Sequence, residues 1–254
     1  MNRSETARGV IYFRLWGIPV AIHPMSWVVL AILGGGFGVN DRESLVQVLC
    51  FVVAGMLALL SHEFGHALVG RKLGGGDAGI VISGLGGVTR HEHAPRSRVN
   101  YFMTVLAGPM ASLLFGMLGG VALGLQLGNV EQGVQLSLLL PLPGDMVPVE
   151  AVSALQEAVW SGSLPLVMLR VYSTLFLVCF WWSVFNLLPI LPLDGGRLLA
   201  TLLGNNRVVC ILGLVICALL GLWCICSGSW FNMMIVGYLG WLNWQFLQSS
   251  RVRQ

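Results

Sequence analysis

The sequence predicts an all-α polytopic membrane protein, with about six transmembrane helices and a small β-hairpin or sheet on the cytoplasmic side. Composition is the first observation that favours this fold class. Of the 254 residues, 56% are hydrophobic and only 10% are charged, and the mean hydropathy is +0.80, whereas soluble domains carry about 25% charged residues. The second observation is that the apolar residues form runs long enough to cross a hydrocarbon layer of about 30 Å. We therefore expect a single integral membrane domain over residues 1–254.

Six apolar runs divide the chain into predicted spans and loops. They comprise about residues 25–39, 45–69, 101–127, 165–188, 208–226 and 230–247. The first run is short for a spanning helix and contains several glycines. Residues 128–164 are less apolar and acidic, so we expect an exposed loop there, with an interfacial helix near residues 149–160.

Two segments outside the long apolar runs have the composition of β-strands. Residues 15–24 are rich in β-branched side chains and bracketed by proline, which predicts a short extended segment. Residues 78–91 contain two β-prone stretches on either side of a glycine cluster, which predicts a hairpin.

Basic residues are distributed unevenly among the predicted loops. If the chain begins in the cytoplasm and crosses the membrane six times, residues 1–14, 70–99, 191–207 and 249–254 lie on the same side of the membrane. These segments hold twelve of the fourteen Lys and Arg residues. Because loops rich in Lys and Arg face the cytoplasm, we expect both termini to be cytoplasmic. The net charge of +3 is too small to indicate binding to nucleic acid.

The second apolar run contains the segment Ser61-His62-Glu63-Phe64-Gly65-His66, which has the pattern H-E-x-x-H. Two histidines four residues apart on a helix point to the same side. A glutamate beside the first histidine can act as a general base on a metal-bound water. Since these polar groups are costly in an apolar helix without a partner, we predict a metal site rather than a structural polar cluster.

A catalytic zinc ion typically has three protein ligands, so His62 and His66 require one more. Asp194 is the first candidate, because it follows the fourth apolar run. At 1.5 Å per residue, its depth would be similar to that of the two histidines, roughly 5–12 Å inside the cytoplasmic face. The alternative role for Asp194 is to cap a turn before the two glycines that follow it.

Three other histidines remain possible ligands at this point. His91 and His93 stand in an alternating His-Glu-His segment, which is more typical of a solvated strand. His23 precedes a proline at the entrance of the first apolar run, where an interfacial position is more common.

The chain resembles the site-2 protease family of intramembrane zinc metalloproteases in two motifs. These are His-Glu-Phe-Gly-His at 62–66 and Asn-Leu-Leu-Pro-Ile-Leu-Pro-Leu-Asp-Gly-Gly-Arg at 186–197. The likeness extends to residues 84–89 and 107–109, so it covers a catalytic core over about residues 17–197. The six-span layout resembles the branch that processes sporulation factors, whereas spans five and six, within 208–247, are generic.

This resemblance implies a role for each candidate residue. His62, His66 and Asp194 would bind Zn²⁺, one ion per chain. Glu63 would activate the zinc-bound water. Asn186 matches the family asparagine that helps to hold the substrate near the metal.

The implied function is regulated intramembrane proteolysis, in which peptide bonds within or near transmembrane segments of membrane-tethered substrates are hydrolysed. The expected partners are a transmembrane protein or peptide substrate and the lipid bilayer, with a membrane regulatory protein as a further candidate. An unwound substrate segment would add as a strand to the hairpin at 78–91 or to the strand at 17–23. We expect the protein in the bacterial inner membrane, with its active site towards the cytoplasm.

Two other functions fit some of the same residues. A metal transporter would also place His, Glu and Asp in membrane helices. A transporter would need further polar residues along a path to the outer face, but the outer halves of these apolar runs contain almost none. A catalytically inactive relative that acts as a membrane scaffold is the other alternative. The intact H-E-x-x-H pattern and Asp194 argue against it.

Overall fold

The computed structural model of the chain describes residues 9–84, 86–143, 147–162 and 164–252. Within them, four strands and nine α-helices follow one another. The strands are β1 (Ile11–Leu15), β2 (Ile18–Ile22), β3 (Ala78–Ser83) and β4 (Gly86–His91). The helices are α1 (Pro24–Leu33), α2 (Arg42–Gly70), α3 (Arg98–Leu127), α4 (Val130–Leu139), α5 (Val149–Trp160), α6 (Leu166–Asn186), α7 (Asp194–Leu203), α8 (Asn206–Cys226) and α9 (Trp230–Val252). A short 3₁₀ turn (Gly36–Gly38) follows α1, and a π turn (Arg71–Gly75) follows α2.

Four helices in the described part of the chain are long and apolar enough to cross a membrane: α2 with its π turn, α3, α6 and α8. The predicted first span corresponds to α1, whose 10 residues extend only about 15 Å. The predicted sixth span corresponds to α9, which has 23 residues but includes polar ones such as Asn232, Asn243 and Gln245. Six crossings and cytoplasmic termini therefore remain predictions.

The four strands form one sheet in the order β1-β2-β3-β4, in which β2 and β3 are parallel and the other pairs are antiparallel. The hairpin predicted at 78–91 is confirmed as β3 and β4. Alternate residues of the central strands, such as Val20, Ile80 and Ile82, are buried and pack against Phe64 and Ala67 of α2. This alternation places one face of the sheet on α2, beside the H-E-x-x-H segment.

The extended segment predicted at 15–24 is instead part of a hairpin of β1 and β2. Leu15 pairs with Ile18, so the loop has two residues, Trp16 and Gly17, and both have positive φ angles of 50° and 79°. Such a type I′ turn suits the twist of the flanking strands. Because β2 is paired on both sides, the strand at 17–23 offers no free edge, and the edges of the sheet are β1 and β4.

The segment 128–164 is not simply an exposed loop, because its first helix, α4, packs closely on α3. A β-carbon at Gly133 would collide with the backbone of α3 at Gly120 and Gly124, and Leu136 is fully buried. Glycines at facing positions allow this close approach. The helix predicted near 149–160 is confirmed as α5, and the acidic residue at 145 lies outside the described residues.

Candidate metal centre

The last third of α2 carries His62 and His66 one turn apart on a face that meets α3. The two helices approach closely because small residues line the contact. A β-carbon at Gly65 would collide with the carbonyl of Ala107, and a β-carbon at Gly108 would collide with the imidazole of His66. The glycines therefore leave the space that the two imidazoles occupy.

Asp194 is the first residue of α7, and it reaches the two histidines of α2. Its Oδ2 lies 2.9 Å from Nε2 of His62 and 3.2 Å from Nε2 of His66. The two Nε2 atoms are 3.1 Å apart. All three side chains are buried, with exposed fractions of 4%, 9% and 5% for His62, His66 and Asp194. Three potential ligand atoms thus form a compact, buried triangle.

A hydrogen bond to the backbone determines which nitrogen of His66 faces this triangle. Nδ1 of His66 lies 2.8 Å from the carbonyl oxygen of Thr104, which can only accept, so Nδ1 carries the proton. In the neutral ring, Nε2 then presents a lone pair towards the carboxylate of Asp194. Two acceptors at this distance repel each other unless a cation lies between them.

The triangle also has the dimensions of a tetrahedral zinc site. Zinc bonds of about 2.0–2.1 Å to nitrogen and oxygen separate neighbouring ligand atoms by about 3.3–3.4 Å. The observed separations of 2.9–3.2 Å are slightly shorter. The tautomer of His66, the burial and the donor types therefore fit a metal ion.

Glu63 stands beside the triangle, with the donor atoms of its own side chain and of His62 and His66 all within 4.8 Å of one another. The hydroxyl of Thr89 on β4 is 2.7 Å from Oε2 of Glu63 and 3.1 Å from the Glu63 backbone oxygen. A β-carbon at Gly87, also on β4, would collide with the Glu63 carboxylate. Strand β4 therefore holds this carboxylate in place.

The glycine pair after Asp194 lets the start of α7 pack against the irregular segment that follows α6. A β-carbon at Gly195 would collide with the carbonyl of Leu187, and one at Gly196 would lie 2.6 Å from the carbonyl carbon of Ile190. The segment also contains a cis peptide bond between Leu191 and Pro192. The Asp194 carboxylate points to the histidines, contrary to the alternative in which it only caps a turn.

A cavity of about 570 Å³ opens on the triangle and is lined by β4, α6, α7 and α9 among others. Asn186, the last residue of α6, lies in its wall, with Nδ2 donating to the carbonyl of Trp182 at 2.9 Å. Arg197 also lines it, with a guanidinium nitrogen 3.9 Å from Oδ1 of Asp194. The structure thus brings together in one cavity all five predicted site residues: His62, Glu63, His66, Asn186 and Asp194.

The remaining histidines do not join the triangle. His91 lines the same cavity, and neither of its ring nitrogens has a hydrogen-bond partner among the described residues. Burial lowers the pKa of His91, so its ring is neutral near pH 7. The side chain of His93 is 64% exposed, 3.7 Å from the carboxylate of Glu92. His23 precedes α1, and its backbone N–H donates to Ile82.

Sequence reasoning missed three contributors to the site: Thr89, Gly87 and the carbonyl of Thr104. A backbone carbonyl has no side-chain signal, so the Thr104 contact could not have been found from the sequence. Thr89 and Gly87 lie in the predicted hairpin, but only the packing of β4 on α2 shows which strand residues face Glu63.

Comparison with known proteins places the chain among metalloproteases. The model of peptidase family M50 matches residues 50–220, more than half of the chain. The zinc metalloprotease MJ0392 of Methanocaldococcus jannaschii is 24% identical over 194 residues, covering 76% of this chain and 45% of the relative. Rip3 of Mycobacterium tuberculosis, a candidate zinc metalloprotease, is 26% identical over 253 residues, covering 94% of this chain and 55% of the relative. The chain therefore spans about half the length of these relatives.

A solved structure shows the same fold. The site-2 protease from Methanocaldococcus jannaschii superposes with a TM-score of 0.54 at 19% sequence identity, covering 94% of this chain and 95% of the other. Both the ligand triangle and Glu63 lie within the segment that the family model matches. The resemblance inferred from the two sequence motifs is thereby confirmed, and the chain belongs to peptidase family M50, the site-2 protease family.

Proposed function

We propose that the chain is an intramembrane zinc metalloprotease that hydrolyses peptide bonds within or near transmembrane segments of membrane-tethered substrates. The observation that carries the proposal is the buried triangle of His62, His66 and Asp194 with a restrained glutamate beside it. The zinc metalloprotease names of MJ0392 and Rip3 support the same function.

His62, His66 and Asp194 would hold one Zn²⁺ ion per chain. Glu63 is also close to the histidines, but we assign it to proton transfer because it is the glutamate of the H-E-x-x-H pattern and Thr89 orients its carboxylate beside the triangle. When bound, zinc lowers the pKa of a water molecule and polarises the carbonyl of the scissile peptide bond.

Glu63 accepts the proton that the attacking water loses as its oxygen bonds to the carbonyl carbon. The same carboxyl group then gives that proton to the leaving amine nitrogen as the C–N bond breaks. Asn186 donates only one of its amide hydrogens to Trp182. The second hydrogen can donate to the carbonyl oxygen of the substrate, where negative charge develops.

A helical substrate must unwind before this chemistry, because its carbonyls are engaged in i→i−4 hydrogen bonds. Strand β4 is an edge of the sheet, and the hydroxyl of its residue Thr89 donates a hydrogen bond to the carboxylate of Glu63. We infer that an unwound substrate segment adds to β4 as a further strand. Residues that break helices in the substrate then favour cleavage.

We place the protein in the bacterial inner membrane, in contact with lipid along its apolar helices, with the active site towards the cytoplasm. The concentration of Lys and Arg in the loops near the site supports this orientation. The substrate is a transmembrane protein or peptide, a membrane protein is the candidate regulator, and nucleic acid is not a partner.

Zinc content and cleavage of a transmembrane substrate test the proposal with the full chain purified in detergent. Wild type is expected to hold about one zinc ion per chain, and His66→Ala and Asp194→Ala much less. Glu63→Gln should retain zinc and lose at least 100-fold in cleavage rate, because general base catalysis typically contributes about 10²–10⁴-fold. Cleavage by Glu63→Gln at the wild-type rate, or zinc retained in Asp194→Ala, would contradict the assignment.

A further inference from the structure

Asn243 is a fully buried amide on α9, a helix that the sequence motifs do not include. A polar side chain among apolar helices is costly unless its hydrogen bonds are made. Here Nδ2 donates to the carbonyl of Leu239, one turn earlier, at 2.9 Å, and also to the carbonyl of Leu191. The backbone N–H of Leu191 donates in return to Oδ1 of Asn243 at 3.2 Å.

The side-chain amide of Asn243 thus makes hydrogen bonds with both the N–H and the carbonyl of Leu191, as the backbone of a neighbouring strand would. That residue, Leu191, lies in the irregular segment between α6 and α7, where the backbone has no regular helical or strand ladder. Leu191 is three positions before Asp194. The amide of Asn243 therefore connects α9 to the segment that carries the Asp194 carboxylate.

Helix α8 leaves the space that this contact needs. A β-carbon at Gly213 would lie 2.5 Å from Oδ1 of Asn243 and 3.4 Å from the Cα of Ile190. Ile190 itself is fully buried in a cluster formed with residues of α8 and α9. Helices α8 and α9 together thus enclose the segment that precedes Asp194.

We propose that Asn243 is a positioning residue for the metal centre: it fixes Leu191 and thereby sets where Asp194 stands relative to His62 and His66. The inference rests on the proposed function, since it assigns Asp194 as a ligand. Asn243 makes no hydrogen bond with any of the three ligand side chains. It acts through the backbone, as partners outside the ligand set do when they hold a ligand in place.

The test measures zinc affinity of the full chain in detergent, by competition with a chromophoric chelator. Asn243→Leu keeps a similar volume and removes the amide, and it is expected to weaken zinc binding about 10–100-fold, the usual effect of losing a partner that orients a ligand. Asn232→Leu is the matched control, because Asn232 is an exposed asparagine on the same helix. The control is expected to bind zinc like wild type.

A second variant perturbs the same contact from α8. Gly213→Ala retains the amide but places a methyl group against it, so zinc affinity is expected to fall as well. Gly221→Ala is its control on the same helix, because a β-carbon there meets nothing within 4 Å. If Asn243→Leu does not fold, the zinc affinity of Gly213→Ala tests the positioning role of Asn243 instead.

The absorption spectrum of the Co²⁺-loaded protein separates positioning from a purely structural role. Displacement of Asp194 changes the ligand field, so the Co²⁺ bands of Asn243→Leu and Gly213→Ala are expected to shift. Folded variants with wild-type zinc affinity and wild-type Co²⁺ bands would overturn the positioning role and leave the proposed function intact. A wild type that binds no zinc would overturn both.

Discussion

At the scale of single residues, the hydroxyl of Thr89 gives the Glu63 carboxylate a fixed direction. A general base is effective only when its lone pair points at the proton to be removed. Oε2 of Glu63 accepts from Thr89 at 2.7 Å, which restrains the rotation of the carboxylate. The side chain of a strand residue thus orients the carboxylate of the helix residue that we propose as the general base.

Thr89→Val is expected to lower kcat about tenfold or more while zinc content stays at the wild-type value. The physical reason is that valine has the same shape but no hydroxyl, and a hydrogen bond to a charged group contributes about 1.5–3 kcal/mol. Thr89→Ser retains the hydroxyl and should keep most of the activity. Cleavage rates of the two variants, measured beside their zinc content, check this, and equal rates for Thr89→Val and wild type would rule it out.

At the scale of elements, the contact between α2 and α3 determines the room available to the imidazoles. Gly65 and Gly108 stand where the helices approach, and no larger residue fits at either position without movement. Close approach through small residues is a common way to pack membrane helices. Here the same small residues also border the ligand triangle.

Gly108→Ala is expected to reduce zinc affinity at least tenfold, because its methyl group would occupy the position of the His66 ring. Gly221→Ala, in open space on α8, should bind zinc like wild type and unfold at the same or a slightly higher temperature, since alanine favours helices by about 1 kcal/mol over glycine. Zinc titration of both variants measures the difference. Wild-type affinity in Gly108→Ala would show that α3 can move away from α2.

At the scale of the whole molecule, the metal centre joins parts that are far apart in the chain. The contact between the side chains of His62 and Asp194 joins residues that are 132 positions apart in the sequence. On the proposed function, zinc would bind the folded chain selectively because the unfolded chain has no preformed site, and its binding energy would add to stability. Such binding would couple α2, which carries the two histidines, to α7, which begins with Asp194.

Removal of zinc by a chelator is expected to lower the unfolding temperature of wild type by several degrees. At a free zinc concentration 100 times Kd, binding contributes about 2.7 kcal/mol to the free energy of unfolding. Asp194→Ala should respond little to the same chelator. Thermal unfolding in detergent with and without chelator measures both, and an unchanged wild-type temperature would show that the site contributes nothing to stability.

The meeting of the three side chains of the triangle was predictable because these residues contrast with their surroundings. His62, His66 and Asp194 are rare polar groups in or beside apolar runs, and a helical repeat of four aligns the first two. The contact of Asn243 with Leu191 was not predictable, because one of the partners is a backbone group. A polar residue in an apolar run indicates that it has a partner, but the sequence does not identify which one.

The helices with long apolar runs were predictable for the same reason, and α2, α3, α6 and α8 lie close to the predicted spans. Strand β1 was missed although glycines flank it at positions 9 and 17, because its pairing with β2 depends on a two-residue turn. The parallel pairing of β2 with β3 joins segments about 60 residues apart. Local patterns carry no information on such distant partners.

The separation of 132 positions between His62 and Asp194 also sets an order of events during synthesis. At about 5–20 residues per second, a ribosome needs roughly 7–26 s to proceed from one to the other. Throughout that interval the emerging protein holds at most two of the three residues of the triangle. On the proposed function, a nascent chain that still lacks Asp194 has an incomplete site, and the site is completed only after residue 194 has been synthesised.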